Sequence, residues 1–429
     1  MLDRLQSRGR FGIRLGLGRT RVLLRRLGDP QVGLPGALIG GTNGKGSTQV
    51  LVASVLREAG VRVGQTPKPH LVTYRERITV DGQPISQVDF ASLLDEVLDQ
   101  ADAIARRYGP PTEFEVLTAA AFAWFRRVGV EVAIVEVGLG GRLDATNVWQ
   151  GGVSAITNVA LDHTEYLGPT VVDIAREKAQ IIKRGDAQAL TMAGPPALGV
   201  IRRRAARLGV PLSVVEPWSV VGLDRRGTHV IGPDGSDLTI GLLGRHQAAN
   251  AALAWRILDA LDDAGIATTG EEQRRAAFAS AAWPGRLELL PAGDGRPDVL
   301  LDGAHNPHGA AALATALDEL LPQLSDAAPC LLLGVVRDKD VAGVVDALRS
   351  STALRRGSVI TTDVPNTQRA LPAAELAAMW PGAEPVSEPE AALERAFELA
   401  DRGDRILVVA GSLYLVGHIR AQLLGLESD

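Results

Sequence analysis

The stretch Gly41-Thr42-Asn43-Gly44-Lys45-Gly46-Ser47-Thr48 constrains this chain more than any other. It follows a short apolar run, Ala37-Leu38-Ile39, and precedes Val50 to Ala59, which reads as a helix. Strand, glycine loop and helix form a geometry in which backbone N–H groups and a helix N-terminus surround a phosphate while a lysine ammonium neutralises its outer oxygens. A nucleoside triphosphate is the expected ligand, with residues 42–48 around its phosphates. The spacing departs from the usual P-loop pattern, because two residues separate Gly41 from Gly44 and Gly46 separates Lys45 from Ser47.

A chain of 429 residues has length for two domains. With 46% hydrophobic and 22% charged residues it has the composition of a soluble globular protein, and no apolar run approaches the ~20 residues of a membrane span. Met1 to Arg26 carries arginines throughout and no apolar core followed by a cleavage site, which predicts a cytoplasmic location. A single cysteine, Cys330, excludes an internal disulfide framework and a Cys-rich zinc site. The net charge of −5 gives no footprint for a nucleic acid. Only five lysines stand among 45 basic residues: Lys45, Lys68, Lys178, Lys183 and Lys339. A retained lysine therefore marks a candidate position for a compact ammonium or a modifiable amine.

Taken in order, Leu23 to Leu27 is expected to be helical and Val61 to Gln65 to be a strand. Thr66-Pro67-Lys68-Pro69-His70 cannot be regular structure, because two prolines remove donors and fix φ, so it is a stiff loop near the phosphate end of the sheet. Asp89 to Arg107 and Glu115 to Arg127 carry apolar residues at helical spacing. Val132 to Val137 reads as a strand buried in a parallel sheet, with Glu136 at its C-terminal end, where such sheets gather ligands. There a carboxylate could hold the Mg²⁺ that accompanies the nucleotide. The glycine-rich run from Gly138 to Asn147, with Arg142 and Asp144, reads as a substrate or switch loop. The strand Ala155 to Val159 leads into Asp162-His163, where His163 is a candidate second metal ligand, and then into a helix containing Lys178.

From Trp218 to Leu243 the pattern changes to a small antiparallel sheet, followed by a helix from Gly244 to about Asp262. A domain boundary is expected at Trp283-Pro284-Gly285-Arg286, giving an ATP-binding domain over 1–284 and a second domain over 285–429. Strands and helices alternate again beyond it, with Asp302-Gly303-Ala304-His305-Asn306 at the end of the first strand. The fold class is α/β: a P-loop parallel-sheet domain with a small antiparallel subsheet, then a smaller Rossmann-like domain.

Together these stretches resemble the folylpolyglutamate synthase and dihydrofolate synthase family, a branch of the Mur ligase superfamily. The resemblance is carried by residues 41–47, Pro69-His70-Leu71 with Glu76-Arg77-Ile78, residues 140–147, Asp162-His163-Thr164, Glu177-Lys178-Ala179, Gly244 to Gln247, Trp283 to Arg286 and Asp302 to Pro307. It implies a ligase of folate biosynthesis and one-carbon metabolism. Such an enzyme phosphorylates a carboxylate with ATP and then joins the acyl phosphate to the amine of L-glutamate. It implies that Lys45 and the loop amides hold the phosphates, and that Ser47, Glu136, His163 and a carbamylated Lys178 serve Mg²⁺. Asn250, Arg286, Asp302 and His305 are assigned to the nucleotide, and Lys68, His70, Arg77, Arg142 and Asp144 to substrate. Lys68 stands where the family usually has serine, and a charged ammonium cannot ligate a metal, so Lys68 is expected to pair instead with a phosphate oxygen or with a substrate carboxylate, leaving water to fill the metal's vacancy. Residues 140–147 resemble the bacterial form that accommodates dihydropteroate, which implies action on both dihydropteroate and folate; a monomer is expected. Two other readings are open: a Mur-type ligase of cell-wall precursors, against which the lack of a recognisable UDP-binding domain before residue 41 counts, and a P-loop ATPase or switch, which leaves Asp302 to His305 unexplained.

Overall fold

The computed structural model describes residues 1–9, 12, 14–293, 296–401 and 406–427; Arg10, Phe11 and Ile13 of the arginine-bearing N-terminus lie outside them. The chain packs as two compact units. One comprises Met1–His70, Tyr74–Trp218 and Ala249–Phe278, and the other Leu71–Thr73, Ser219–Ala248 and Ala279–Asp429.

The first unit is built on strands β1 (Gly36–Gly40), β2 (Val63–Thr66), β3 (Thr79–Val80), β4 (Gln83–Pro84), β5 (Val132–Glu136), β6 (Gly152–Ile156), β7 (Gln188–Thr191) and β8 (Leu212–Val214). Their order is β4-β3-β2-β5-β1-β6-β7-β8. From β2 to β8 the neighbours are parallel, and only the short β3 and β4 run antiparallel, at one edge. Every residue of β1 and β5 is buried, as strands covered on both faces require. The helices Gln87–Tyr108 and Glu113–Arg127 bury the apolar faces expected of them, and a capping box of Thr112 and Glu115 starts the second. The sequence signal left β3 and β4 out because two residues are too short for periodicity to register.

The second unit holds an antiparallel sheet of β9 (Ser219–Asp224), β10 (Gly227–Ile231) and β11 (Asp237–Ile240). Its main sheet contains β12 (Glu288–Leu290), β13 (Val299–Asp302), β14 (Cys330–Leu333), β15 (Ser358–Thr361), β16 (Glu384–Pro385) and β17 (Leu407–Ala410), in the order β12-β13-β17-β14-β15-β16. All but β12 are parallel. Placing the hairpin sheet within residues 1–284 differs from this packing, since residues 219–248 cluster with the second unit. The physical reason is charge and packing at a distance in sequence: Arg225 pairs with the buried carboxylate of Asp298, and Arg245 pairs with Glu319 at 2.5 Å. Among the described residues no helix is long and apolar enough to cross a membrane.

Candidate active site

The phosphate-type loop joins β1 to the helix Lys45–Glu58, and Gly44 caps that helix with φ of 83°. Only glycine fits there, because a Cβ at residue 44 would lie 2.2 Å from Oδ1 of Asn250. At Gly41, with φ of 141°, a Cβ would lie 1.8 Å from the Thr157 hydroxyl. The segment after β6 holds the loop in shape. Thr157 donates to the Asn43 carbonyl at 2.6 Å, the Asn43 N–H donates to the Asn158 side chain at 2.9 Å, and the Thr42 N–H donates to the Asn158 carbonyl at 2.9 Å.

Two lysines converge on one carbonyl of this loop. Lys45 Nζ donates to Gly41 O at 3.2 Å and to Thr42 O at 2.9 Å, and Lys178 Nζ donates to Gly41 O at 2.7 Å. Lys178 ends the helix Val171–Lys178 and is buried, and this burial, helped by the charge of Lys45, lowers its amine to about 7. Glu136, buried at the end of β5, has Oε1 4.0 Å from Lys45 Nζ, and its Oε2 accepts from the Lys68 N–H at 3.2 Å. Lys68 Nζ donates to the Glu136 main-chain carbonyl and lies 4.7 Å from the centre of the Phe114 ring. Burial lowers Lys68 to about 8. Ser47 and Thr48 are buried on the first turn of the loop's helix.

His70 and Arg77 meet. Arg77 Nε donates to His70 Nδ1 at 2.8 Å, and the His70 ring lies 4.3 Å from that of Tyr74. Burial, with Arg77 opposing a second positive charge, lowers His70 to about 3, so it is a neutral acceptor. Arg77 also faces Glu113, whose carboxyl is pushed up by burial and bonded by Tyr74. Tyr74, Glu113, Phe114, Thr157 and Asn158 are absent from the sequence-based assignment. Thr157 and Asn158 had a usable signal, their place at the C-terminal end of a parallel strand, whereas Tyr74, Glu113 and Phe114 are assembled by packing alone.

Asp144 and Arg142 are both engaged by neighbouring parts of the protein. Asp144 accepts from the Leu139 N–H at 2.8 Å, the Thr146 N–H at 3.0 Å and the Thr146 hydroxyl at 2.5 Å, so its buried carboxylate staples the glycine-rich loop. Arg142 is half exposed and pairs with Glu177 through Nε at 2.9 Å. Asp144→Ala is expected to lower stability by about 2–4 kcal/mol, given ~1.5–3 kcal/mol for a hydrogen bond to a charged group and the orphaned N–H donors left behind. Denaturant unfolding checks this, and a loss below ~0.5 kcal/mol contradicts the staple.

His163 sits in the left-handed region, with φ of 48°, and its Nε2 is 3.8 Å from Asp162 Oδ1. Among the described residues no three His, Cys, Asp or Glu side chains gather as metal ligands. The donors at the loop are the Ser47 hydroxyl and the Glu136 carboxylate, hard oxygens that suit Mg²⁺ with water completing its shell.

In the second unit Asp302 ends β13, is buried, and accepts from the N–H groups of Leu287 and Ala304 at 2.8 Å each. Burial raises its carboxyl while the charge of Arg286 opposes the rise. The Arg286 guanidinium lies where a side chain on Gly303 would stand, 2.6 Å from an ideal Cβ. His305 Nδ1 is 2.8 Å from Gly303 O.

Residues 39–258 match the Mur ligase middle domain and residues 285–413 match the Mur ligase glutamate ligase domain. The chain is 33% identical to the dihydrofolate synthase/folylpolyglutamate synthase of Bacillus subtilis (strain 168), over 98% of this chain and 97% of the relative. The Mycobacterium tuberculosis folylpolyglutamate synthase complexed with ADP and AMPPCP superposes with a TM-score of 0.85 at 32% identity, covering 100% of both chains. The E. coli FolC structure in complex with DHPP and ADP gives a TM-score of 0.83 at 29% identity, over 99% of this chain and 97% of that one.

Proposed function

The chain belongs to the folylpolyglutamate synthase and dihydrofolate synthase family of Mur ligases, and from that premise we infer that it is an ATP-dependent ligase adding L-glutamate to dihydropteroate and to folate. The observation that carries the reading is the gathering of Lys45, Lys68 and Lys178 around Gly41 and Glu136 in a chain with five lysines. The ammonium groups of Lys45 and Lys68 beside a glycine loop, with the modifiable amine of Lys178, suit a reaction whose charge develops on phosphoryl oxygens and then on a tetrahedral oxyanion.

The acid's carboxylate oxygen attacks the γ-phosphorus, and the bond from that phosphorus to the β,γ-bridging oxygen breaks with its electron pair leaving on ADP. The amine of glutamate then attacks the acyl carbon, a proton is lost from nitrogen, and phosphate departs. Lys45 leaves the carbonyls of Gly41 and Thr42 to meet the phosphates, and the loop's N–H groups complete the cradle. Asn250, packed on Gly44, fixes the helix cap. A magnesium ion held by Ser47 and Glu136 would screen the transferring oxygens. His163 and a carbamylated Lys178 are proposed as further ligands, the depressed amine of Lys178 favouring the neutral form that takes up CO₂. His70 and Arg77 are assigned to the acid substrate, and Arg286, Asp302 and His305 to the nucleotide.

Phosphate release from ATP and Mg²⁺ tests the reading when measured with L-glutamate and dihydropteroate, tetrahydrofolate or no pterin, with mass detection of product. One added glutamyl unit on both acids is expected. Addition to one acid alone makes the enzyme monofunctional, and release indifferent to acid and glutamate replaces the ligase with an ATPase.

A further inference from the structure

Lys68 is held in an unusual way for a buried cation. Its Nζ donates to the neutral carbonyl of Glu136, and its other close neighbour is the face of Phe114. The charged groups that face it are Asp144 and Glu136, which attract it, and Arg77 and Lys45, which repel it. Asp144 already accepts three hydrogen bonds within its own loop, and Glu136 meets Lys68 through the main-chain N–H. The ammonium carries three N–H groups, and a carbonyl and a ring face do not neutralise its charge. Such a cation, within electrostatic reach of both the phosphate-loop lysine and Arg77, is arranged to receive an anion.

We propose that Lys68 binds the carboxylate that becomes phosphorylated. The inference rests on the ligase reading above. A carboxylate brought against a triphosphate is repelled by it, and a fixed ammonium within electrostatic reach of a phosphate-binding lysine and an acid-binding arginine offsets that repulsion. The carboxylate is favoured over a phosphate oxygen because Lys68 leaves the stiff loop that carries His70, and its neighbour is Phe114, next to Glu113, which faces Arg77. No proton moves in this step: Lys68 keeps its three protons while the oxygen–phosphorus bond forms.

Isothermal titration of the full chain with ADP present, using 7,8-dihydropteroate and its carboxamide, isolates the charge. Wild type is expected to prefer the carboxylate by roughly tenfold or more, the range of one charge-assisted hydrogen bond. Lys68→Met is expected to lose that preference while binding the carboxamide and ADP as wild type does. No preference in the wild type overturns the proposal whether or not the variant folds. Equal weakening of both ligands in Lys68→Met makes the residue structural, and weakening of ADP alone assigns it to phosphate. Failure of the wild type to bind either pterin overturns the ligase reading itself.

Discussion

Gly41→Ala is expected to weaken binding of an ATP analogue by roughly a hundredfold or more while leaving the protein folded. The added Cβ would stand 1.8 Å from the Thr157 hydroxyl, on a backbone whose φ of 141° L-residues rarely adopt. Relief needs the loop to move, and the carbonyl of Gly41 is the acceptor that gathers Lys45 and Lys178. The same shift therefore displaces the Lys45 and Lys178 side chains and the Asn43 main chain bonded by Thr157. Strain and overpacking each cost about 1–3 kcal/mol, so nucleotide affinity falls by roughly a hundredfold or more if most of that cost is met by displacing the loop. Calorimetric titration with AMPPCP measures the loss, and circular dichroism confirms the fold. Retained affinity within about threefold of wild type contradicts the loop geometry.

Lys178→Met is expected to reduce turnover by about 10²–10³, the scale of losing one preorganised charged group at a reacting phosphoryl centre. The amine is lowered to about 7 because burial penalises its ammonium form, with Lys45 adding repulsion. The sign follows directly. Below about 7 the folded protein protonates the amine, and above it the neutral nitrogen is available to attack CO₂, losing a proton as the N–C bond forms. Carbamate formation is thus expected to rise as pH climbs through about 7 and to fall as pH drops below it. Labelled bicarbonate gives a nuclear magnetic resonance signal for a carbamate in wild type and none in Lys178→Met. Turnover in CO₂-stripped buffer should recover when bicarbonate is restored. A wild type lacking both the signal and the bicarbonate response has an unmodified Lys178, and its role is then the hydrogen bond to Gly41.

Both expectations concern residues visible in the sequence, yet their reasons are visible only in the fold. Strand, glycine loop and helix around Lys45 could be read because the apolar run, the glycines and the helix periodicity are local signals. Glu136 could be read because an acidic residue ending an apolar strand is rare and sits at the ligand edge of a parallel sheet. What could not be read is how distant segments divide the work. Asp144 and Arg142 share a loop that looks built for substrate, but Asp144 is occupied by Leu139 and Thr146 and Arg142 by Glu177. The segment 219–248 adjoins the first domain in sequence, but the pairing of Arg225 with Asp298 and of Arg245 with Glu319 gathers it into the second unit.

The sequence by itself determined the α/β class, the ligand edge, the phosphate loop and the short set of lysines from which the site is made. Each rests on local pattern, the period of burial or the chemistry of a turn, which a few neighbouring residues suffice to specify. Only the tertiary structure decided that Lys45 and Lys178 share the Gly41 carbonyl, that Lys68 turns to Glu136 and Phe114, and that Asn250 and Thr157 make glycine obligatory at residues 44 and 41. Those contacts join residues up to 206 positions apart, the separation of Gly44 and Asn250, and no local propensity encodes them. They arise from close packing, which fixes which side chains meet once the strands have taken their order.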